Sequence, residues 1–209
     1  MQITLTNTGK RFNREWIFRH VNHQFIPGRS YAITGPNGSG KSTLLQVIAG
    51  AVLHSEGAVS YSVYGNEPSS QQVVAGTDAY RNISIATPYL ELIEEMTAIE
   101  FLSFHGTFKE FSMKVSDMLE AVSLQQAANK QIRYFSSGMK QRLKMAHAFF
   151  SNTPVLLLDE PTTNLDHDGI ALYRHLISHH TNGRLLIISS NDEQEYNFCN
   201  EVISISNYK

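Results

Sequence analysis

The sequence predicts an α/β fold: a parallel sheet covered by helices, with an N-terminal antiparallel β subdomain and an inserted α-helical subdomain. After residue 138, helical segments alternate with the uninterrupted apolar strands "VLLL" and "LLIIS", which is typical of parallel sheets buried on both faces. The first quarter is mostly strand-like, whereas residues 90–135 show helical spacing without a strand. We therefore expect one domain, 1–209, in which a core of 1–88 and 138–209 carries a helical insertion at 89–137.

The first elements follow from strand and turn signals. Strands are expected at 2–6, 15–25 and 30–34, and the stretch "VNHQF" in the second of them alternates as a half-buried strand does. The stretch "PGRS" at 27–30 predicts a turn between the second and third strands. A short helix is expected at 44–50, where a glycine ends the apolar pattern.

The remaining elements follow from hydrophobic periodicity and from the glycine and proline residues between them. Strands are expected at 57–65, 83–86, 155–158, 185–189 and 201–206, and helical segments at 90–106, 112–124, 138–150, 168–180 and 193–199.

Composition excludes several classes of protein. The net charge of −2 over 209 residues argues against a nucleic-acid binder held by bulk charge. The single cysteine, Cys199, excludes an intramolecular disulfide framework and a cysteine-rich zinc site. The N-terminus lacks the apolar segment of a secretory signal, and no apolar run approaches the ~18 residues of a membrane span. We expect a soluble, cytoplasmic protein that binds no nucleic acid.

The stretch "GPNGSGKST" matches the phosphate-binding pattern G-x-x-x-x-G-K-[ST] and lies between a predicted strand and a predicted helix. Successive N–H groups of such a loop bind phosphate oxygens, and the helix N-terminus adds the positive end of its dipole. Lys41 can reach the β- and γ-phosphates, and Ser42 can coordinate Mg²⁺. The candidate nucleotide-binding residues of this phosphate loop are Gly35, Pro36, Asn37, Gly38, Ser39, Gly40, Lys41, Ser42 and Thr43.

The stretch "VLLLDE" at 155–160 supplies two carboxylates at the end of a buried strand. Ligands of open α/β sheets bind at the carboxyl ends of the strands. Asp159 can hold Mg²⁺ directly or through water, and Glu160 can polarise an attacking water. Kinases, GTPases and motor ATPases share both elements, but no "NKxD"-like guanine-reading segment is present. We therefore expect an adenine nucleotide.

Five further stretches make the chain resemble the ATP-binding cassette (ABC) ATPases, the engine subunits of ABC transporters. They are "GKRF" (9–12), "SIATPYLELIEEMTAIEFL" (84–102), "FSSGMKQR" (135–142), "DEPTTNLD" (159–166) and "IISSNDEQEYNFCNEVISI" (187–205). The likeness runs from about residue 3 to 206. It implies a P-loop NTPase (RecA-like) core that hydrolyses Mg-ATP. It also implies a homodimer or heterodimer with another ABC ATPase subunit, bound to a separate membrane permease on the inner face of the membrane.

In that family the signature motif of one subunit faces the ATP held by the other, so the resemblance assigns Ser136, Ser137 and Gly138 to the partner's ATP. Ser137 stands where the family has glycine, and Met139 where it has glutamine. Asp166 would reach across the same interface. Structural roles remain open for these residues, because Ser136 and Asp166 are also good helix N-caps.

The resemblance also places Phe12 against adenine, with Trp16 as a second candidate, although an N-terminal phenylalanine is often a core residue. Two further positions depart from the family pattern. Tyr89, or a neighbour, stands where the family has the Q-loop glutamine, and Asn191 stands at the catalytic position of the switch histidine. Tyrosine cannot ligate Mg²⁺ as an amide oxygen does, and asparagine cannot take up a proton. We expect slower hydrolysis or weaker coupling, with ATP binding retained.

Two other functions remain open at this point. One is a non-transport ABC ATPase acting on ribosomes or DNA. The other is a weakly active regulatory nucleotide-binding subunit, which the residues at 89, 137 and 191 suggest. The transported substrate and the direction of transport have no signature in this chain.

Overall fold

A computed structural model describes residues 1–64 and 71–209. Gly65, the last residue of the predicted strand 57–65, lies outside the described residues. The strands are β1 (Gln2–Phe12), β2 (Glu15–Phe25), β3 (Ser30–Thr34), β4 (Glu56–Tyr64), β5 (Gln71–Val74), β6 (Ile83–Ala86), β7 (Val155–Asp159), β8 (Leu185–Ser189) and β9 (Glu201–Ser204). The helices are α1 (Lys41–Ile48), α2 (Ala98–Gly106), α3 (Val115–Ala121), α4 (Ser137–Phe150), α5 (His167–His180) and α6 (Glu193–Tyr196).

The strands form two sheets. The first is antiparallel with the order β2-β1-β4-β5, and the second is parallel with the order β6-β7-β8-β3-β9. In the parallel sheet β8 lies between β7 and β3, and Ser189 pairs with Asp159 on one side and with Ile33 on the other. The predicted fold class is therefore confirmed.

The central strands of the parallel sheet, β7 and β8, are buried at every position, because four of the five residues in each are large and apolar. In β7, Val155 and Leu157 belong to a core shared with the antiparallel sheet and α1, whereas Leu156 and Leu158 belong to a core shared with α2 to α5. Successive side chains of a strand point to opposite faces. The continuous apolar pattern in the sequence thus reflects a strand that packs against two separate cores, one on each face of the sheet.

The helical insertion is anchored at its start and on its inner side. Thr97 caps α2, accepting a hydrogen bond from the Glu100 N–H while the Glu100 carboxylate accepts one from the Thr97 N–H. Phe101 and Met118 pack into the same core as Phe149 of α4. The insertion therefore rests on α4 as well as on the sheet.

Several boundaries differ from the prediction. Strand β5 was not predicted, helix 193–199 ends at Tyr196, and the last strand ends at Ser204 with a 3-10 helix after it. Helix α1 begins three residues before the predicted start, because the phosphate loop leads into its first turn without a gap. In the described ranges 1–64 and 71–209, no helix is both long and apolar enough to cross a membrane.

Candidate active site

Four neighbouring strands of the parallel sheet direct their following loops to one edge. The loops after β7, β8 and β6 carry Glu160, Asn191 and Tyr89 respectively, and Lys41 begins α1 directly after the loop that follows β3. Because parallel strands share the direction of their carboxyl ends, these residues lie on the side where open α/β sheets bind ligands. A cleft of about 350 Å³ on this side is lined by both Lys41 and Glu160.

The phosphate loop closes tightly onto the start of α1. Gly40 caps the helix with a φ of 102°, a conformation that costs residues with a Cβ. A Cβ on Gly40 would also lie 2.4 Å from Ile17 Cγ2. Lys41 is 4% exposed, and its ammonium donates to the carbonyl oxygens of Gly35 (2.9 Å) and Pro36 (3.3 Å). The free N–H groups of the first helical turn and the lysine thus form one cationic cradle.

The phosphate-loop residues are divided between the cleft and the loop's own support. Ser39 is buried beneath the loop, 7% exposed, with its hydroxyl 2.9 Å from the position of a Cβ on Gly35. Gly35 and Pro36 do not line the cleft, and their carbonyl oxygens accept from Lys41. The six members that line the cleft are Asn37, Gly38, Gly40, Lys41, Ser42 and Thr43.

Asp159 ends β7 inside the protein. It is 2% exposed, and its Oδ1 has no hydrogen-bond partner among the described residues. Burial raises the pKa of Asp159, while the Ser42 hydroxyl and the Lys41 charge act in the opposite direction. An oxygen without a partner costs free energy inside a protein. The donor set of one buried carboxylate and one hydroxyl therefore fits a hard cation such as Mg²⁺, which prefers oxygen ligands.

Glu160 follows Asp159 in an unusual backbone conformation. Its φ is 42°, in the left-handed region that non-glycine residues rarely occupy. Its N–H donates to the Ser189 carbonyl of β8 over 2.8 Å. The side chain is half-buried and lines both the cleft and a second cavity of about 250 Å³. A carboxylate so placed can accept a proton from a water held in the cleft.

Asn191 faces the second cavity together with Asn37 and Glu160. The Asn191 side-chain amide donates to Asn37 Oδ1 over 2.6 Å. A primary amide has two N–H donors, so a second one remains for an anion. The segment that follows β8 is thereby joined directly to the phosphate loop.

Tyr89 lines the cleft with a side chain that is 77% exposed. It is the position assigned by resemblance to the Q-loop, and it reaches the cleft from the β6 side. Ile17 of β2 also lines the cleft and was not predicted. Neither a motif nor a charge marks Ile17 in the sequence, because it is one apolar residue within a strand. Its place at the site follows from its contact with Gly40.

The two aromatic candidates for adenine stacking differ in their surroundings. Phe12 is 49% exposed, and the Lys10 ammonium lies 4.7 Å from its ring centroid. The Trp16 ring has two guanidinium groups over it, from Arg11 at 5.5 Å and Arg19 at 4.2 Å. Neither aromatic is among the residues that line the cleft. Because Trp16 is partly buried whereas Phe12 is exposed, Phe12 offers the more accessible ring.

The signature residues lie at the N-terminus of α4. Ser136 caps this helix and accepts a hydrogen bond from the Met139 N–H over 3.2 Å. Ser136 and Ser137 are exposed, whereas Gly138 is partly covered. A Cβ on Gly138 would lie 3.1 Å from the Asn164 carbonyl oxygen. The glycine therefore lets the helix start approach the loop that follows Glu160.

Asp166 borders the same surface. It caps α5 by accepting from the Gly169 N–H over 2.8 Å, and it accepts from Arg142 of α4 over 2.9 Å. The hydrogen bond from the Gly169 N–H lowers the pKa of Asp166 most, and the hydrogen bond from Arg142 lowers it further. A cavity of about 380 Å³ is lined by Ser136, Ser137, Gly138, Met139, Arg142, Asn164 and Asp166. The structural roles expected for Ser136 and Asp166 are thus both present, on a surface open to solvent.

Comparison with known proteins places the chain in a family. The model of the family described as "ABC transporter" matches residues 18–163. A sulfate/thiosulfate import ATP-binding protein from Mesostigma viride is 34% identical over 171 residues, which are 79% of this chain and 47% of that relative. The chain thus spans about half the length of that relative.

A second relative is matched over more of its length. A cytochrome c biogenesis ATP-binding export protein from Xylella fastidiosa is 32% identical over 165 residues, which are 77% of this chain and 71% of the relative. A lantibiotic transport ATP-binding protein from Streptococcus pyogenes is 29% identical over 195 residues, covering 90% of this chain and 79% of the relative.

Solved structures agree on the fold. The dimeric structure of a bacterial ABC transporter cassette superposes with a TM-score of 0.78 at 25% identity, covering 97% of this chain and 93% of that one. A cassette from Pyrococcus furiosus, described as a putative ABC transporter ATP-binding protein, gives a TM-score of 0.79 at 17% identity over the whole of both chains. The chain therefore belongs to the ABC transporter family and is an ATP-binding cassette of the P-loop NTPase fold.

Proposed function

We propose that this cassette hydrolyses ATP to drive a transporter whose membrane permease is a separate chain. The observation that carries the proposal is a cleft at the carboxyl edge of the parallel sheet that is lined by Lys41, Ser42 and Glu160, with the buried Asp159 close enough for the Ser42 hydroxyl and the Lys41 charge to act on it. Positioning and charge supply most of the catalysis in phosphoryl transfer, and these residues supply a cation, a metal ligand and a base.

Each residue has one task in this reaction. A water oxygen attacks the γ-phosphorus, the bond to the β–γ bridging oxygen breaks, and ADP and inorganic phosphate are formed. Glu160 orients the water and accepts its proton. The phosphate-loop amides and Lys41 hold the phosphates. Ser42 and Asp159 would hold Mg²⁺, which when bound neutralises negative charge on the phosphates. Asn191 donates its second amide hydrogen to the γ-phosphate.

A second subunit would complete the site. Ser136 and Ser137 lie exposed at the N-terminus of α4, a helix of 14 residues, and helix N-termini attract anions. We propose that they face the γ-phosphate held by a partner cassette, identical or related, and that Asp166 lies at the same interface. This arrangement makes turnover depend on assembly, because each subunit then holds half of two sites.

The permease is proposed to dock beside the helical insertion, 89–137. A groove of about 340 Å³ is lined there by Leu90, Glu91, Leu92, Glu94, Lys140 and Lys144. A lining that combines two leucines with charges of both signs suits an amphipathic helix of a membrane protein. The groove adjoins Tyr89, so a docked helix would lie next to the nucleotide cleft. The cassette would then be peripheral on the inner face of the membrane.

Purified cassette should hydrolyse Mg-ATP, and Glu160→Gln should lower kcat by about 100-fold or more, because the water loses its base. Lys41→Ala should instead weaken ATP binding. Released phosphate and the ATP Kd are the measurements. Turnover that survives in both variants would contradict the proposal, and co-sedimentation with ribosomes in place of membranes would contradict a transport role.

A weakly active regulatory subunit is the second candidate, favoured by Asn191 at the switch position. The two functions differ in a measurable way. Turnover that is abolished by Lys41→Ala and stimulated by membranes containing a permease supports the transporter. ATP binding without turnover supports the regulatory subunit.

A further inference from the structure

The short helix α6, directly after the switch segment, carries a buried carboxylate. Glu195 is only 3% exposed, although its neighbours Glu193 and Gln194 are exposed. Burial raises the pKa of Glu195. A buried carboxylate costs free energy unless donors surround it, so its place in the fold requires an explanation.

The Ser190 hydroxyl acts on this carboxylate and lowers its pKa, and two further donors come from the loop that carries Glu160. Glu195 Oε1 accepts hydrogen bonds from the Thr162 N–H, at 2.7 Å, and from the Thr162 hydroxyl. Oε2 has no hydrogen-bond partner among the described residues. All of the contact to Thr162 therefore passes through one oxygen atom.

Thr162 lies inside the turn that fixes Glu160. The Thr163 N–H donates to the Glu160 carbonyl over 3.1 Å, which closes a turn with Pro161 and Thr162 at its centre. The left-handed φ of Glu160, 42°, costs on the order of 1 kcal/mol and persists only where surrounding contacts hold it. Glu195 holds the centre of this turn, while Ser189 of β8 holds its start.

We propose that Glu195 is a positioning residue for hydrolysis, which keeps Glu160 aimed into the cleft and fixes it relative to Asn191. The inference rests on the proposed function, since it concerns the carboxylate that acts on water. Glu195 lies four residues after Asn191, so the segment 191–195 links the proposed γ-phosphate donor to the turn that carries the base. Both groups line the same cavity of about 250 Å³ as Glu195 does.

Two substitutions at Glu195 distinguish the loss of its hydrogen-bond acceptor from the loss of its negative charge. Glu195→Ala removes the acceptor, and kcat should fall by about 10- to 100-fold, as expected when a catalytic group is misplaced by about 1 Å. The ATP Kd should stay within about twofold, because Glu195 does not line the nucleotide cleft. Glu195→Gln retains one carbonyl oxygen, which can accept both Thr162 donors, so most of the kcat should return.

Tyr173→Phe is the matched control. The Tyr173 hydroxyl donates to the Glu195 backbone carbonyl over 2.6 Å, so its loss loosens the same helix without touching the carboxylate. We expect a less stable protein with an unchanged kcat. Thr162→Val removes one of the two donors, and its effect should not add to that of Glu195→Ala.

Hydrogen–deuterium exchange of the peptide containing residues 160–163 gives a readout that needs no turnover. Exchange should speed up in Glu195→Ala and stay near wild type in Glu195→Gln and Tyr173→Phe. Unchanged exchange, or equal losses of kcat in Glu195→Ala and Tyr173→Phe, would overturn the inference. Failure of the proposed function looks different, because wild-type protein then shows no turnover while the exchange result still stands.

Discussion

Asn191 stands where the sequence resemblance expects the switch histidine, and its side chain is held at the second cavity by a contact with the phosphate loop. Histidine at a switch position can exchange a proton, whereas asparagine can only donate and accept hydrogen bonds. The amide of Asn191 is oriented by Asn37 at 2.6 Å, which leaves its second N–H available. The phosphate loop itself therefore sets the direction of the donor.

Asn191→Asp tests this role with a side chain of nearly the same size. The change removes both N–H donors and places a negative charge beside the phosphates, so kcat should fall by about 10- to 100-fold. Steady-state phosphate release measures it. Asn191→His is the control, since it restores a donor and should keep or raise the rate. An aspartate variant as active as wild type would show that Asn191 does not contact the γ-phosphate.

At the scale of the element, much of the fold follows from local pattern. The bounds of β2, β3 and β8 agree with the predicted 15–25, 30–34 and 185–189, because alternation or an unbroken apolar run marks both ends. Strand β5 escaped prediction because it is only four residues long, half of them glutamine. Its pairing with β4, a tertiary contact, decides its conformation.

The residues of the candidate site likewise fall into those that local sequence predicts and those that depend on tertiary contacts. Lys41, Asp159 and Glu160 could be predicted because their motifs place chemistry and backbone next to each other in sequence. Ile17 and Glu195 could not, since their roles depend on contacts with Gly40 and Thr162 that no local pattern records. Glu195 in particular has the sequence surroundings of a surface helix.

The junction of β6, α4 and β8 is held by one arginine. The Arg184 guanidinium donates to the carbonyl of Phe149, near the end of α4, to the Ser84 hydroxyl of β6 and to the Thr153 hydroxyl. Burial lowers the pKa of Arg184 to about 10. Cations are favoured at a helix C-terminus, and the fork of five donors can bind several oxygens at once.

Arg184→Ala should lower the free energy of unfolding by about 3 kcal/mol, because several partly buried oxygens lose their donor. Urea unfolding followed by circular dichroism measures the change. Arg174→Ala is the matched control: Arg174 makes an exposed hydrogen bond to Gln194, and its removal should cost less than about 0.5 kcal/mol. Equal effects of the two substitutions would show that Arg184 is an ordinary surface residue.

At the scale of the whole molecule, the nucleotide cleft and the cavity beside Ser136 are two separate surfaces. The nucleotide cleft is lined by the phosphate loop, Ile17, Tyr89 and Glu160. The cavity of about 380 Å³ beside Ser136 is lined by the starts of α4 and α5 and by the loop between β7 and α5. Gln141 of α4 donates to the Pro161 carbonyl over 2.9 Å. Helix α4 thus contacts the same turn that Glu195 contacts, so in the proposed dimer a partner's ATP at Ser136 would act on the position of Glu160.

Because the two halves of the proposed site lie on separate surfaces of each cassette, ATP itself should hold two cassettes together. Glu160→Gln with saturating ATP should form dimers, because slow hydrolysis preserves the γ-phosphate at the interface; light scattering after gel filtration measures the mass. In that background, Ser137→Glu should abolish the dimer by placing a carboxylate against the partner's phosphates, whereas Ser137→Gly, the residue usual in the family, should preserve it. ATP binding to the monomer should be equal in both, since residue 137 does not line the nucleotide cleft. A monomeric Glu160→Gln protein, or a dimer indifferent to Ser137→Glu, would contradict the shared site.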